Sequence, residues 1–206
     1  MIFEKLPLQF DVAKLCAHLR RHVLHLPAQM ESEFFGGWSV LSSDGKFSDG
    51  WKPGALAFEP TFMPGASLDE KMSAIGVKRS AAYIHPTEIC EGYMRQVIDT
   101  IRDSGLHPMR ARISMLKSGG QSSVHRDAPE GEYAVRLHIP LMTNEECTFN
   151  CEEGSAHLPA DGSTYLLRVN RVHQVVNFGD SDRYHLIMSV RDTKALSQFH
   201  RFPTTN

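Results

Sequence analysis

No stretch of the 206-residue chain approaches the roughly 18 consecutive apolar residues of a membrane-crossing helix, so the sequence offers no candidate span. The opening MIFEKLPLQF lacks the basic-then-apolar build of a secretory leader, and the expectation is a cytoplasmic protein. Cysteine is sparse. Cys16, Cys90, Cys147 and Cys151 form no C-x-x-C pair and no dense framework, which argues against a zinc ribbon and against a secreted disulfide scaffold. The formal charge is only −2, and Arg20-Arg21 is too short to neutralise a row of phosphates, so a nucleic-acid surface is not expected. Repeats, low-complexity tracts and dividing linkers are also missing. One domain over residues 1–206 is the expectation, with elements and covering loops in 1–108, a core in 109–192 and a tail in 193–206.

What is present changes character along the chain. Leu6, Leu8 and Phe10 alternate as a strand does, and Asp11 can cap a helix that buries Val12, Leu15, Cys16, Leu19 and Val23. Residues 30–65 are rich in Gly, Ser, Asp, Pro and aromatics and keep no period, which reads as long covering loops. Ser67-Leu68-Asp69-Glu70 has the capping-box form and predicts a short helix stopped by Gly76. A further helix is expected from near Thr87 to Gly105. From Met109 onward eight candidate strands follow, near 109–117, 122–127, 133–142, 146–152, 155–158, 162–169, 171–177 and 183–191. That series predicts a mainly β protein with flanking helices (α+β) and a jelly-roll core.

The chemistry concentrates in His125-Arg126-Asp127 and a distant His173. Ligands at i and i+2 of an extended segment project from one face, so His125 and Asp127 can grip one ion together, with His173 completing the set. Two histidines and one carboxylate on one face of a metal leave three positions open, the arrangement of non-heme Fe(II) oxygenases. Fe(II) is the expected metal.

From Arg112 to Asp192 the chain resembles the Fe(II)/2-oxoglutarate-dependent dioxygenases, and among them the aspartyl/asparaginyl β-hydroxylase-like group, which includes bacterial proline cis-4-hydroxylases. Ser114, the H-R-D at 125–127, R-L-H-I-P-L at 136–141, Thr143-Asn144, His173 and R-Y-H-L-I-M at 183–188 carry the resemblance. It implies a double-stranded β-helix of the cupin-like kind, with iron on His125, Asp127 and His173. It also implies Arg183 at the distal carboxylate of 2-oxoglutarate with Ser114 as helper, and Arg136 and His138 near that co-substrate's metal-binding end. A dianion in a narrow barrel needs a permanently charged planar fork, which arginine supplies. The implied reaction consumes O2 and 2-oxoglutarate, releases succinate and CO2, and hydroxylates an unactivated C–H bond of an amino acid, peptidyl residue or related small metabolite. Related halogenases lack the carboxylate that Asp127 supplies, so its presence favours hydroxylation.

Rival readings stand beside this one. A cupin-type dioxygenase or isomerase without 2-oxoglutarate has no need of Arg183 ten residues after His173, and a non-catalytic barrel module has no need of an intact His125, Asp127 and His173. If the substrate carries a carboxylate, a second arginine must meet it, and Arg112 and Arg126 are the candidates. Arg126 points away from its neighbours in a regular strand. Trp38, Trp51, Phe34 and Phe35 either wall a substrate pocket, with Trp38 foremost, or simply pack. His185 reads as a hydrogen-bonded structural residue, and His18, His22 and His25 as an exposed polar face.

Overall fold

The computed structural model describes residues 3–51, 61–127 and 135–190. The expected tail 193–206, residue 191 and the first two positions of the strand expected at 133–142 lie outside the described residues. The chain runs through β1 (Phe3–Gln9), α1 (Val12–His18), β2 (Gln29–Met30), β3 (Phe35–Ser39), β4 (Leu41–Ser42), α2 (Leu68–Ala74), β5 (His85–Pro86), α3 (Gly92–Asp103), β6 (Pro108–Leu116) and β7 (Gly120–Gln121). It continues through β8 (Val135–Met142), β9 (Cys147–Cys151), β10 (Gly154–Ala156), β11 (Ser163–Arg168), β12 (His173–Asn177) and β13 (Arg183–Val190). No helix among the described residues is long and apolar enough to cross a membrane.

The last eight strands sort into two sheets. β6, β8, β11 and β13 form the centre of a seven-stranded sheet ordered β1-β11-β8-β13-β6-β3-β2, while β7, β9, β10 and β12 form a sheet ordered β10-β9-β12-β7. Neighbours are antiparallel throughout both sheets. Apart from the β9–β10 hairpin, which stays in the smaller sheet, successive strands thus cross between sheets, which is the jelly roll expected from the strand series. The inner faces meet through Phe149, Leu158, Tyr165, Leu167 and Val169.

The outer face of the large sheet is covered by helices. Leu15 of α1 and Met94, Ile98 and Ile101 of α3 pack with Ala111, Ile113, Leu137, Ile139, Leu186 and Met188 from the sheet. β13 is buried on both sides. Tyr184, Leu186, Met188 and Val190 join the helix-side core, so alternation turns Arg183, His185, Ile187 and Ser189 into the barrel. β8 does the same, with Leu137 and Ile139 outward and Arg136 and His138 inward.

Local signals behave as their chemistry dictates. Asp11 accepts a hydrogen bond from the Lys14 backbone at 3.0 Å, and both bonds of the Ser67–Glu70 capping box are present. The helix that opens with Val12 widens after His18 into a π-helical turn at Leu19–Val23, where the Leu24 amide donates to the Leu19 carbonyl five residues back. Three expectations need correction. α3 begins at Gly92 and not near Thr87, because the Thr87 hydroxyl is held by the carbonyls of Ser39 and Val40 beside the β4–β5 pair. Residues 122–127 form no continuous strand: beyond β7 only His125 pairs, as an isolated bridge with His173. The region read as pure loop contributes β3 to the large sheet, where Gly36-Gly37 breaks the alternation by which a strand is recognised.

Candidate active site

The bridge at His125 is what brings distant ligands together. The His125 amide donates to the His173 carbonyl at 3.0 Å and the His173 amide returns the bond at 2.8 Å, while the Asp127 amide donates to the Val169 carbonyl at 2.9 Å. The two imidazole centroids lie 4.4 Å apart. Asp127 Oδ1 is 3.4 Å from His125 Nε2 and Oδ2 is 3.8 Å from His173 Nε2. One donor atom from each of the three residues falls within 4.8 Å of the others.

Neighbouring carbonyls set the tautomers. His125 Nδ1 lies 2.8 Å from the Ser123 carbonyl and His173 Nδ1 lies 2.8 Å from the Arg171 carbonyl. A carbonyl can only accept, so each Nδ1 carries the hydrogen and each Nε2 lone pair is left to face Asp127 and a cation. Phe149 stacks on the His173 ring at 5.0 Å and fixes its plane. Burial lowers the His173 pKa and so favours the neutral ligand form, whereas the bond that His125 Nε2 donates to Asp127 once protonated raises that of His125. Burial alone would raise the Asp127 pKa. Arg136, whose Nε sits 3.1 Å from Oδ2, and the two histidines outweigh it and hold the carboxyl well below the usual range. The carboxylate therefore stays ionised, as a hard cation requires.

Deeper in the barrel stands a cation that meets no acid among the described residues. Arg183 is 3% exposed, its Nη2 lies 2.8 Å from His185 Nδ1, and its Nη1 lies 3.5 Å from the Ser114 hydroxyl. Its Nε has no hydrogen-bond partner, and no carboxylate meets it among the described residues. Burial lowers its pKa to about 10, which leaves it charged at neutral pH. Because guanidinium only donates, His185 Nδ1 must accept, and the ring hydrogen sits on Nε2, itself buried with no partner. His138 lies between this group and the Asp127 cluster, its ring 6.0 Å from that of His185 and its buried Nδ1 also unpartnered. Burial and the nearby arginines push both rings far below the ordinary histidine range, so both are neutral. An isolated buried cation costs several kcal/mol.

A model of the Aspartyl/Asparaginyl beta-hydroxylase family matches residues 85–193, more than half of the chain. The protein belongs to this family. Among solved structures, an oxidoreductase of the 2OG-Fe(II) oxygenase family from Burkholderia pseudomallei is similar over 91% of this chain and 83% of its own, at 14% identity and a TM-score of 0.49. A prolyl-4-hydroxylase from Pseudomonas putida is similar over 93% and 92%, at 14% identity and a TM-score of 0.48. A cupin domain from Bordetella pertussis covers 42% of this chain and 84% of its own, at 17% identity and a TM-score of 0.34.

As a member of this family the chain is an enzyme of the oxygenase, hydroxylase kind, and its candidate residues sort by strand face. His125, Asp127, His173, Arg136, His138, Arg183 and Ser114 lie together on the inner side of the barrel. Arg112 joins them from β6, in register with Ser39 and Ile187. Two candidates do not. Trp38 faces the opposite side of β3, 3% exposed in the helix-side core, and its indole donates to the Leu26 carbonyl at 3.2 Å. Arg126 is exposed, turned away from the ligands that flank it. The aromatic that does stand over the inner face is Trp51, with Phe35 at 5.7 Å. His185, read as a hydrogen-bonded structural residue, does form such a bond: its Nδ1 accepts from Arg183 at 2.8 Å, and its place two residues after Arg183 on β13 turns it to the same side. His18 is not part of an exposed face either: it is buried, with Nε2 at 2.9 Å from the Ile89 carbonyl.

Proposed function

We propose that the protein is an Fe(II)- and 2-oxoglutarate-dependent hydroxylase acting on an amino acid, a peptidyl residue or a related small metabolite. The observation that carries this reading is Arg183, a buried charge that meets no carboxylate among the described residues, on the same inner face as a two-histidine, one-carboxylate cluster. A dicarboxylate that also ligates a metal satisfies both ends at once. Neither the cupin-type reading nor the non-catalytic reading supplies an occupant for Arg183.

In this reading His125, Asp127 and His173 hold the iron, and their donor set fits a divalent ion that keeps open positions. Iron and 2-oxoglutarate, when bound, supply the oxidising chemistry: O2 is consumed, 2-oxoglutarate becomes succinate and CO2, and a substrate C–H bond becomes C–OH. The protein's own work is orientation and exclusion of water. Arg183 and the Ser114 hydroxyl receive the distal carboxylate, and His185 adds an Nε2–H donor whose direction Arg183 dictates. Arg136 serves the metal-binding end of the co-substrate while pinning Asp127, so one side chain couples ligand geometry to co-substrate placement. His138, neutral and buried, offers a hydrogen bond there without adding charge.

The test is succinate release by anaerobically purified protein given Fe(II), 2-oxoglutarate and then O2, alone and with amino acids and short peptides. Succinate that rises with one compound supports the reading. Absence of metal-dependent 2-oxoglutarate binding in the same sample overturns it.

A further inference from the structure

β6 turns a second arginine into the barrel two residues before Ser114. The Arg112 guanidinium carbon lies 4.9 Å from the centre of the Trp51 ring. No hydrogen bond or ion pair joins this side chain among the described residues, and its Nε is sealed from solvent without a partner. Burial and the neighbouring Arg136 and Arg110 all oppose its charge. Asp127, the carboxylate of the metal cluster, is already held by Arg136 at 3.1 Å. Two more sealed polar atoms without partners belong to residues that flank it, the Trp51 indole N–H and the hydroxyl of Ser39, its register partner on β3.

The surroundings are built to hold this arrangement. Gly37 lets Trp51 press onto β3, since a Cβ there would lie 2.9 Å from the indole ring and would collide with the Ile113 carbonyl. Arg110 adopts φ 49°, a left-handed conformation that costs a side-chain-bearing residue about 1–3 kcal/mol. The kink lets its Nε donate to the Gly50 carbonyl at 3.0 Å and its guanidinium lie over Tyr83 at 4.7 Å. The bond to Gly50 tethers the residue next to Trp51, and the Tyr83 ring holds the guanidinium that makes it, so the indole is fixed over Arg112.

We propose that Arg112, roofed by Trp51, is the docking point for a carboxylate of the substrate. The proposal rests on the hydroxylase reading and narrows it: uncharged metabolites and neutral internal peptide residues are excluded. A planar guanidinium stacked on an indole keeps its N–H groups in one plane, which matches the two oxygens of a carboxylate. The carboxylate belongs to a free amino or other small carboxylic acid, or to an Asp or Glu side chain of a peptide. Arg183 cannot serve it, being engaged with the co-substrate at the far end of the same wall.

The test uses full-length protein loaded anaerobically with Mn(II) and 2-oxoglutarate, in a Trp38→Phe background so that indole emission reports Trp51 alone. It is titrated with free L-amino acids, with capped Asp and Glu dipeptides, and with the carboxamide of each; succinate release by the iron form is measured in parallel. At least one carboxylate should shift Trp51 emission and raise succinate, with its carboxamide weaker by about tenfold or more. Arg112→Met should abolish both responses while saturation by 2-oxoglutarate is unchanged, and Arg112→Lys, which keeps charge but not the fork, should recover part. Carboxamides as effective as the acids, an unaltered Arg112→Met, or silence from every carboxylate would overturn the proposal while leaving the hydroxylase reading intact. Failure of the unsubstituted protein to bind 2-oxoglutarate overturns both.

Discussion

Arg183→Met separates a co-substrate anchor from a structural residue by giving opposite signs in the free and loaded protein. Without ligand, Arg183 is a buried cation that meets no carboxylate among the described residues, so methionine of similar reach removes a desolvation penalty. The ligand-free variant should therefore be as stable as the parent or more so. With 2-oxoglutarate bound, the same change deletes a buried charge pair, which costs about 2–5 kcal/mol. At about 1.4 kcal/mol per tenfold, that is a loss of roughly 30- to 4000-fold in affinity. At 100 times its Kd, 2-oxoglutarate stabilises the parent by about 2.7 kcal/mol. For a domain of this size each kcal/mol moves Tm by about 2–4 °C, so the parent should rise by about 5–11 °C. A variant weakened 100-fold retains about 0.4 kcal/mol, or about 1–2 °C. Thermal melts of the Zn(II)-loaded proteins with and without 2-oxoglutarate read both signs. A ligand-free variant that melts far below the parent yet keeps the full 2-oxoglutarate shift would refute the anchor.

Asp127→Ala and His173→Ala should each lose metal binding and succinate formation with circular dichroism unchanged, and full turnover by either would remove that residue from the metal site. His185→Phe should raise the KM for 2-oxoglutarate about 10- to 140-fold with little change in metal affinity, matching the about 1.5–3 kcal/mol of a hydrogen bond to a charged group; an unchanged KM would return His185 to a packing role. Metal binding must displace protons from histidine. Because Asp127 raises the His125 pKa above its ordinary 6.5, affinity should fall as pH drops through and below neutrality, by up to about tenfold per unit for each proton released. Zn(II) titrations between about pH 8 and about pH 5.5 test this, and a flat profile would contradict the histidine ligands.

Much of this protein was legible in the sequence because it is local chemistry. The capping of α1 by Asp11 and the capping box before α2 need only neighbours within a turn, and the strand series from residue 108 needs only periodicity and turn residues. His125, Asp127 and His173 are recognisable by residue type and the i, i+2 spacing of the first two, and Arg183 by the family resemblance of the segment that follows His173. Less legible was β3, whose Gly36-Gly37 pair hides a strand inside an irregular region, and the segment around His125, which pairs through one bridge and not a full ladder.

Alternation along a strand names two faces but not what each face meets. In β13 the polar alternates Arg183 and His185 look like a solvated side, yet they are 3% exposed because the second sheet and the opposite wall close over them. The same ambiguity put Trp38 at the site and left Trp51 undecided: Trp38 lies on the helix side of β3, and Trp51 reaches the inner side from a loop that Arg110 holds down. The sequence by itself determined which residue types could ligate a metal, since that is set by side-chain chemistry, and its family resemblance pointed to Arg183 and Ser114 for a dicarboxylate. Only the tertiary structure decided which polar face became the interior and which charge was left without a partner there, because burial and pairing depend on contacts between segments far apart in the chain.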